Sequence, residues 1–214
     1  MNHLAHLLLS GDAPQHQLGN LLGDFIRGSL GTPAIHAAYP PAVREGMALH
    51  RRIDAYTDAH PRHRRSRQRW PAPWRRYGGI LTDVLYDHYL CRHWQRFVHA
   101  PLTAFTQQTY TDLLAQRALM PPTASRYVTR LAAVDGLGAY ADAAGLGRVL
   151  AALDARLRRP ANLPAALTRL PTLDTALEAD FLAFFPELIA HSGVENRWLQ
   201  PASPRPATRT GDRP

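Results

Sequence analysis

All-α, in the form of a single-domain helical bundle, is the class this sequence predicts, on three observations. Apolar residues recur at three- and four-residue spacing in segment after segment. Apolar–polar alternation never lasts more than a few residues, so no strand pattern competes. Pro and Gly divide the periodic segments at intervals that suit a bundle of short helices. With 214 residues and 45% hydrophobic content the chain is large enough for one sizeable core. We expect residues 1–200 to form that domain. Residues 201–214, PASPRPATRTGDRP, are almost free of apolar side chains and are expected to be a disordered tail.

Taken in order, Asn2 can cap a short helix carrying His3, Leu4, His6, Leu7 and Leu8. Residues 17–30 follow, with Leu18, Leu21, Leu22, Phe25 and Ile26 at helical spacing and Asp24 among them. Gly28, Gly31 and Pro33 break that pattern. Pro41 suits the first turn of a helix through Asp58, with Val43, Met47, Ile53 and Tyr56 towards a core. A basic helix ends near Trp70, and Pro71 and Pro73 make a turn. Residues 80–97 read as one long helix packed through Ile80, Leu81, Val84, Leu85, Tyr89, Leu90 and Trp94. Four further helices are expected over residues 101–117, 122–134, 137–157 and 173–191, from their period and Ala and Leu content. None of these four carries a cluster of His with Asp or Glu at ligand spacing, and scaffold or lid is their expected role.

Composition narrows the function. No stretch approaches the roughly 18 apolar residues of a membrane span. The N-terminal MNHLAHLLLS lacks a basic region and a cleavage site, so we expect it to belong to the fold. The single cysteine, Cys91, has no disulfide partner in the chain, which fits a reducing cytoplasm. Its apolar surroundings favour a buried structural thiol over a nucleophile. Formal net charge is +8, and every basic residue is arginine. Lysine chemistry is thereby excluded, and phosphate or carboxylate recognition falls to the guanidinium fork. A basic surface calls for an acidic partner.

The chemistry-bearing stretch is EGMALHRRIDAYTD, residues 45–58. His50, Asp54 and Asp58 stack on one helix face, one turn apart. Unpaired charge on a partly buried face is costly, and a divalent cation would justify it. TDVLYDHYLCRH, residues 82–93, repeats the form with Asp83, Asp87 and His88. Asp24 adds a carboxylate from a third helix. A lone His–x3–Asp pair is usually a solvated face, but three such helices point to a metal site. Nitrogen and oxygen ligands without cysteine fit Mn²⁺, Mg²⁺, Fe²⁺ or Zn²⁺, and such an ion acidifies water and polarises a phosphoryl oxygen. The metal set expected is Asp24, His50, Asp54, Asp58, Asp83, Asp87 and His88. Arg27, Arg51 and Arg52 stand near enough in sequence to clamp a phosphate, or equally to pair with the neighbouring aspartates. His3 and His6 read as hydrogen-bonded core histidines, and His60, His63, His93 and His99 carry little expectation of chemistry. Arg62, Arg64, Arg65, Arg67 and Arg69, with Trp70 and Trp74 beside them, make a docking face for an acidic partner. No helix-turn-helix, zinc-finger or RNA-binding signature, GxSxG, P-loop or GxGxxG is found.

These stretches resemble a known family. MNHLAHLLLS, GNLLGDFIRG (residues 19–28), HRRIDAYTD (residues 50–58) and TDVLYDHYLCRHW (residues 82–94) resemble, in wording, order and spacing, the acyl carrier protein phosphodiesterases. The likeness is specific over residues 1–94 and looser to about residue 191. It implies an HD-like, all-helical fold distantly related to the HD-domain phosphohydrolases. It implies hydrolysis of the phosphodiester joining 4′-phosphopantetheine to a serine of acyl carrier protein, with a metal-activated water as nucleophile and Mn²⁺ as the expected ion. Asp24, His50, Asp54, Asp87 and Arg51 are the expected catalytic residues. Acyl carrier proteins are acidic, in keeping with the arginine-rich stretch, and neither nucleic acid nor membrane is an expected partner. The usual HD signature has His before Asp, whereas Asp87 precedes His88 here, so the ligand set does not transfer from HD enzymes. The rival expectations are an HD-type hydrolase of a nucleotide or other phosphate ester, and a basic helical adaptor without chemistry.

Overall fold

The computed structural model describes residues 1–200, and the expected tail from residue 201 lies outside the described residues. Within them the regular elements are helices: α1 His3–Leu8, α2 Pro14–Leu22, α3 Pro33–Ala38, α4 Pro41–Ala59, α5 Pro61–Gln68, α6 Gly78–Arg92, α7 Trp94–Phe97, α8 Leu102–Ala115, α9 Pro122–Ala133, α10 Ala143–Asp154 and α11 Leu170–Ser192. Short 3₁₀ turns at Trp74–Tyr77, Arg117–Leu119, Gly138–Ala141 and Leu163–Arg169 join them. Strand-like pairing among the described residues is one isolated bridge, Val98 to Leu199. No helix among them is long and apolar enough to cross a membrane.

α6 is the central helix. It is apolar on nearly all sides, and Leu81, Val84, Leu85, Tyr86, Tyr89 and Leu90 are all buried, as expected of a helix enclosed by others. The α11 aromatics Phe181, Phe184 and Phe185 pack on it; Phe181 meets Tyr86 edge-on at 5.4 Å between ring centres. Cys91 is half-buried on α6, where burial raises its thiol well above the usual range. That is the environment of an inert thiol.

α2 and α4 make the closest crossing. A Cβ on Gly19 would stand 2.0 Å from the Val43 carbonyl oxygen, and one on Gly46 2.3 Å from that of His16. Backbone meets backbone there, which brings side chains of the two helices together one turn further on.

Four of the expected helices change extent. α2 ends at Leu22, not residue 30. The amides of both Phe25 and Ile26 turn back on the Leu22 carbonyl at 2.9 Å, tightening the last turn. This leaves Asp24 in a turn rather than on a helix. The helix expected over residues 80–97 starts at Gly78 and breaks at His93. The helix expected over residues 137–157 divides at Asp142, whose side chain caps α10 through the Gly145 amide at 2.7 Å. α11 begins at Leu170 and continues through Pro186, which lies on its exposed side.

Candidate metal centre

Three elements converge at one end of the α2–α4 crossing. α1 supplies His3 and His6, α2 supplies Asn20, and α4 supplies His50 and Asp54. Asp24 joins them from the turn after α2. α1 is short and apolar, and its buried leucines seat it in the core with His6 facing His50. The two rings lie 4.3 Å apart between centres. A Cβ at Gly23 would stand 2.3 Å from the His50 ring, so that glycine makes room for the imidazole.

The hydrogen bonds fix the tautomers. His6 Nδ1 donates to Asn20 Oδ1 at 2.9 Å, and His50 Nδ1 donates to the same oxygen at 3.1 Å. Each Nε2 therefore presents its lone pair outward. Both lone pairs meet Asp54: His6 Nε2 lies 3.2 Å from Oδ1 and His50 Nε2 3.1 Å from Oδ2. Two imidazole lone pairs facing a carboxylate at that distance repel unless a cation lies between them. Tying the far ring nitrogen of each histidine to a fixed acceptor is also how metal-ligating histidines are held. His6, His50 and Asp54 form the group among the described residues whose ligand atoms lie within 4.8 Å of one another and could hold an ion. Their donor set, two nitrogens and a carboxylate without sulfur, fits a divalent cation of the Mn²⁺, Mg²⁺ or Fe²⁺ kind.

Electrostatics agree with the geometry. Burial keeps His6 below the usual imidazole range and so neutral. Burial works to raise the Asp54 carboxyl, but positive charge at the His50 and His6 Nε2 positions, where a cation would sit, outweighs it and holds the group below the usual carboxylate range. Asp54 is half-exposed and opens on a cleft of about 320 Å³ also lined by Asp24, Thr57, Asp58, Ile80 and Leu153. Asp24 spans the edge of the centre, 3.6 Å from His50 Nε2 and 3.4 Å from His3 Nδ1. Burial pushes His3 down to about 4, against the pull of Asp24. The Thr57 hydroxyl and the Asn20 amide nitrogen are buried without a protein partner.

The expected ligands therefore divide. His50 and Asp54 meet as expected, with Asp24 beside them. Asp58 lies a turn beyond, 70% exposed, and pairs with Arg67 at 3.0 Å while lining the same cleft. α6 is engaged differently from the expectation. Asp83 lines the same cleft as Asp54 and there binds the Met1 ammonium and His63 Nε2, both at 2.9 Å. Asp87 is wholly buried and accepts the amides of Asn2 and Leu4 at 3.2 and 2.8 Å. His88 Nδ1 donates to the Tyr140 carbonyl at 2.7 Å, and its Nε2 faces Arg92. Asp83 and Asp87 thus anchor the start of α1, the helix that carries His3 and His6, and His88 anchors the 3₁₀ turn at Tyr140. His6 is the residue that sequence reasoning set aside as core. The signal available was His3 and His6 on one face of α1, matched by a buried Asn20 in the apolar run of α2.

The arginines also divide. Arg51 donates to the Ile26 carbonyl at 3.3 Å and steadies the loop after Asp24, while Arg27 and Arg52 are exposed. Arg65 and Arg69, expected to dock a partner, each pair with an acid of the chain itself. Both bind Asp180 of α11, whose side chain is 1% exposed, with Arg65 Nε at 3.0 Å and Arg69 Nε at 3.2 Å. Arg62 reaches the same carboxylate at 4.0 Å. Arg64 Nε donates to the Asp58 carbonyl at 3.1 Å, and Arg67 pairs with the Asp58 side chain.

Asp87 gives a test of this division. Asp87→Ala should lower Tm and turnover together, because α1 loses its tether, and Asp87→Asn should keep much of both. Burial raises the Asp87 carboxyl from 3.8 to about 7. The folded state then holds a proton that the unfolded chain has released between those values, so this contribution to stability is lost as pH rises through that window. The Tm difference between wild type and Asp87→Asn should change across that window. A flat difference, or Asp87→Ala inactive at unchanged Tm, would return Asp87 to the ligand set.

A profile of the family described as acyl carrier protein phosphodiesterase matches residues 1–188. Curated relatives carry the same name. One from Serratia proteamaculans is 37% identical over 190 residues, covering 88% of this chain and 96% of that protein. One from Yersinia pestis is 34% identical over 193 residues, with the same coverage, 88% and 96%. One from Salmonella paratyphi A is 36% identical over 193 residues, covering 90% and 97%. No solved structure matches the chain. On similarity that spans nearly the whole length of both partners, and that includes the helices bearing His6, His50 and Asp54, the chain belongs to the acyl carrier protein phosphodiesterase family.

Proposed function

We propose that this chain hydrolyses the phosphodiester between 4′-phosphopantetheine and the serine of holo acyl carrier protein, giving the apo protein and 4′-phosphopantetheine. We place the reaction at the cleft over Asp54, with a divalent cation, Mn²⁺ before Mg²⁺ or Fe²⁺, held by His6, His50 and Asp54 with Asp24 beside them. The observation that carries this reading is the pair of Nε2 lone pairs aimed at one carboxylate, with both Nδ1 atoms committed to Asn20. The distant kinship to HD-domain phosphohydrolases is supported by the same features, an all-helical core and His and Asp donors from separate helices. The soluble substrate and lone cysteine favour the cytoplasm as the place of reaction.

When bound, the cation supplies a Lewis acid for the phosphoryl oxygen and an acidified water. The chain's own groups do the rest. Asn20 locks both imidazoles in the ligating tautomer, so no ring has to reorient. His3, kept neutral by burial, sets its Nδ1 3.4 Å from Asp24 and orients that carboxylate at the edge of the centre. The Thr57 hydroxyl is buried without a protein partner in the wall of the cleft.

The direct test is mass measurement of holo acyl carrier protein after incubation. The expected result is the apo mass with free 4′-phosphopantetheine, lost on chelation and regained with Mn²⁺. An intact holo protein under all metals would overturn the proposal, and turnover indifferent to the chelator would remove the metal.

A further inference from the structure

Arg65 and Arg69 pair with Asp180, while other exposed arginines of the chain have no ion pair among the described residues. We propose that two arginine turns at the mouth of the cleft, one bearing Arg75 and Arg76 and the other residues 156–159, form the landing surface for the acidic helical protein that carries the phosphodiester. This rests on the function proposed above and adds where the partner sits.

Both turns adjoin, in sequence, residues that line the cleft. Ile80 and Leu153 line the cleft. The first turn ends three residues before Ile80, and the second begins three residues after Leu153. Across from each other, Arg76 and Tyr77 share with Arg158 and Arg159 one surface depression of about 440 Å³. On the far side Asp58 lines both the cleft and a depression of about 400 Å³ walled by Arg64, Arg67 and Arg75. Arg156 reaches furthest in. Its guanidinium lies 5.7 Å from the Tyr127 ring, which is 5.2 Å from the His3 ring. Cationic groups thus run from the edge of the candidate centre out to both banks.

These turns are built to hold still. The Asp154 carboxylate accepts the amides of Ala161, Asn162 and Leu163 at 2.8, 3.2 and 3.3 Å, closing the loop that bears the arginines. Trp74 Nε1 donates to the Asn162 carbonyl at 3.3 Å and ties one turn to the other. Meanwhile the charges are left free. Arg75, Arg76, Arg156, Arg158 and Arg159 are exposed, and none is in an ion pair among the described residues, in contrast to Arg65, Arg67 and Arg69. Fixed, unpaired guanidiniums around a site entrance steer an acidic protein and limit the ordering cost of binding it.

Steady-state kinetics on holo acyl carrier protein test the surface. The double variant Arg76→Glu, Arg158→Glu should lose about tenfold or more in kcat/KM, carried by KM. The deficit should shrink as salt is raised from about 50 to about 500 mM, where exposed charges are screened. The milder pair Arg76→Gln, Arg158→Gln should show a smaller loss of the same kind, with unchanged helical content and Mn²⁺ affinity. Arg96→Glu on α7, beyond the far end of α6, is the control and should leave kcat/KM unaltered. Wild type that cleaves the substrate while both double variants keep its KM would overturn the surface alone. Wild type that never cleaves holo protein would overturn the function on which it rests.

Discussion

His6→Ala should abolish turnover, by about a thousandfold or more, or about 4 kcal/mol of transition-state stabilisation. Mn²⁺ binding followed by calorimetry or by the spectrum of the free ion should weaken sharply in the same variant. Helical content should not change, because the α1 leucines and the Asp87 tether still seat the helix. His50→Ala should behave alike, since the rings share one acceptor and one carboxylate. The metal readout separates ligation from packing. A buried histidine that merely filled space would cost Tm when truncated and leave ion binding alone. His6→Ala with full Mn²⁺ affinity and activity would make the residue core once more and leave the centre with His50 and Asp54 only.

Arg65→Glu should act on stability rather than on substrate binding. Asp180 is buried and held by Arg65, Arg69 and the Ser66 hydroxyl, which in turn meets Tyr86 at 2.9 Å. Burial works to raise the Asp180 carboxyl, and the Arg65 and Arg69 guanidiniums outweigh it and keep the group below the usual range. A second carboxylate put in place of one guanidinium removes a partner from the buried charge and repels it, leaving Arg69 as its close cation. A Tm loss on the order of 10 °C is the expected outcome in thermal unfolding. If Tm holds while KM for the carrier protein rises strongly in a salt-dependent way, Arg65 belongs to the docking face after all. The contrast with Arg76 and Arg158 is therefore a contrast of readouts, Tm for one group and KM for the other.

Most of the fold was legible from local pattern. Helical period, Pro and Gly punctuation and the Asn2 cap are properties of neighbouring residues, and α4 and α5 begin and end close to where such signals put them. The misplaced boundaries are those where distant residues intervened. α2 stops early because its last carbonyl is taken up by a tight turn through Phe25 and Ile26. The long C-terminal helix keeps going past Pro186 because that residue faces solvent.

The sequence by itself determined that this is an all-helical protein of arginine-only basicity, placed His50 and Asp54 on one helix face, and carried the family likeness. Spacing of three or four residues is enough for that, since a helix enforces it without outside help. Only the tertiary structure decided which other groups join that face. The glycine crossing of α2 and α4 brings Asn20 under both imidazoles, and the tether of α1 to Asp87 delivers His6. The same packing turns His88 to a backbone carbonyl and hands Arg65 and Arg69 to Asp180. Contacts between helices far apart in the chain depend on how their surfaces pack, and no periodicity within one helix encodes them.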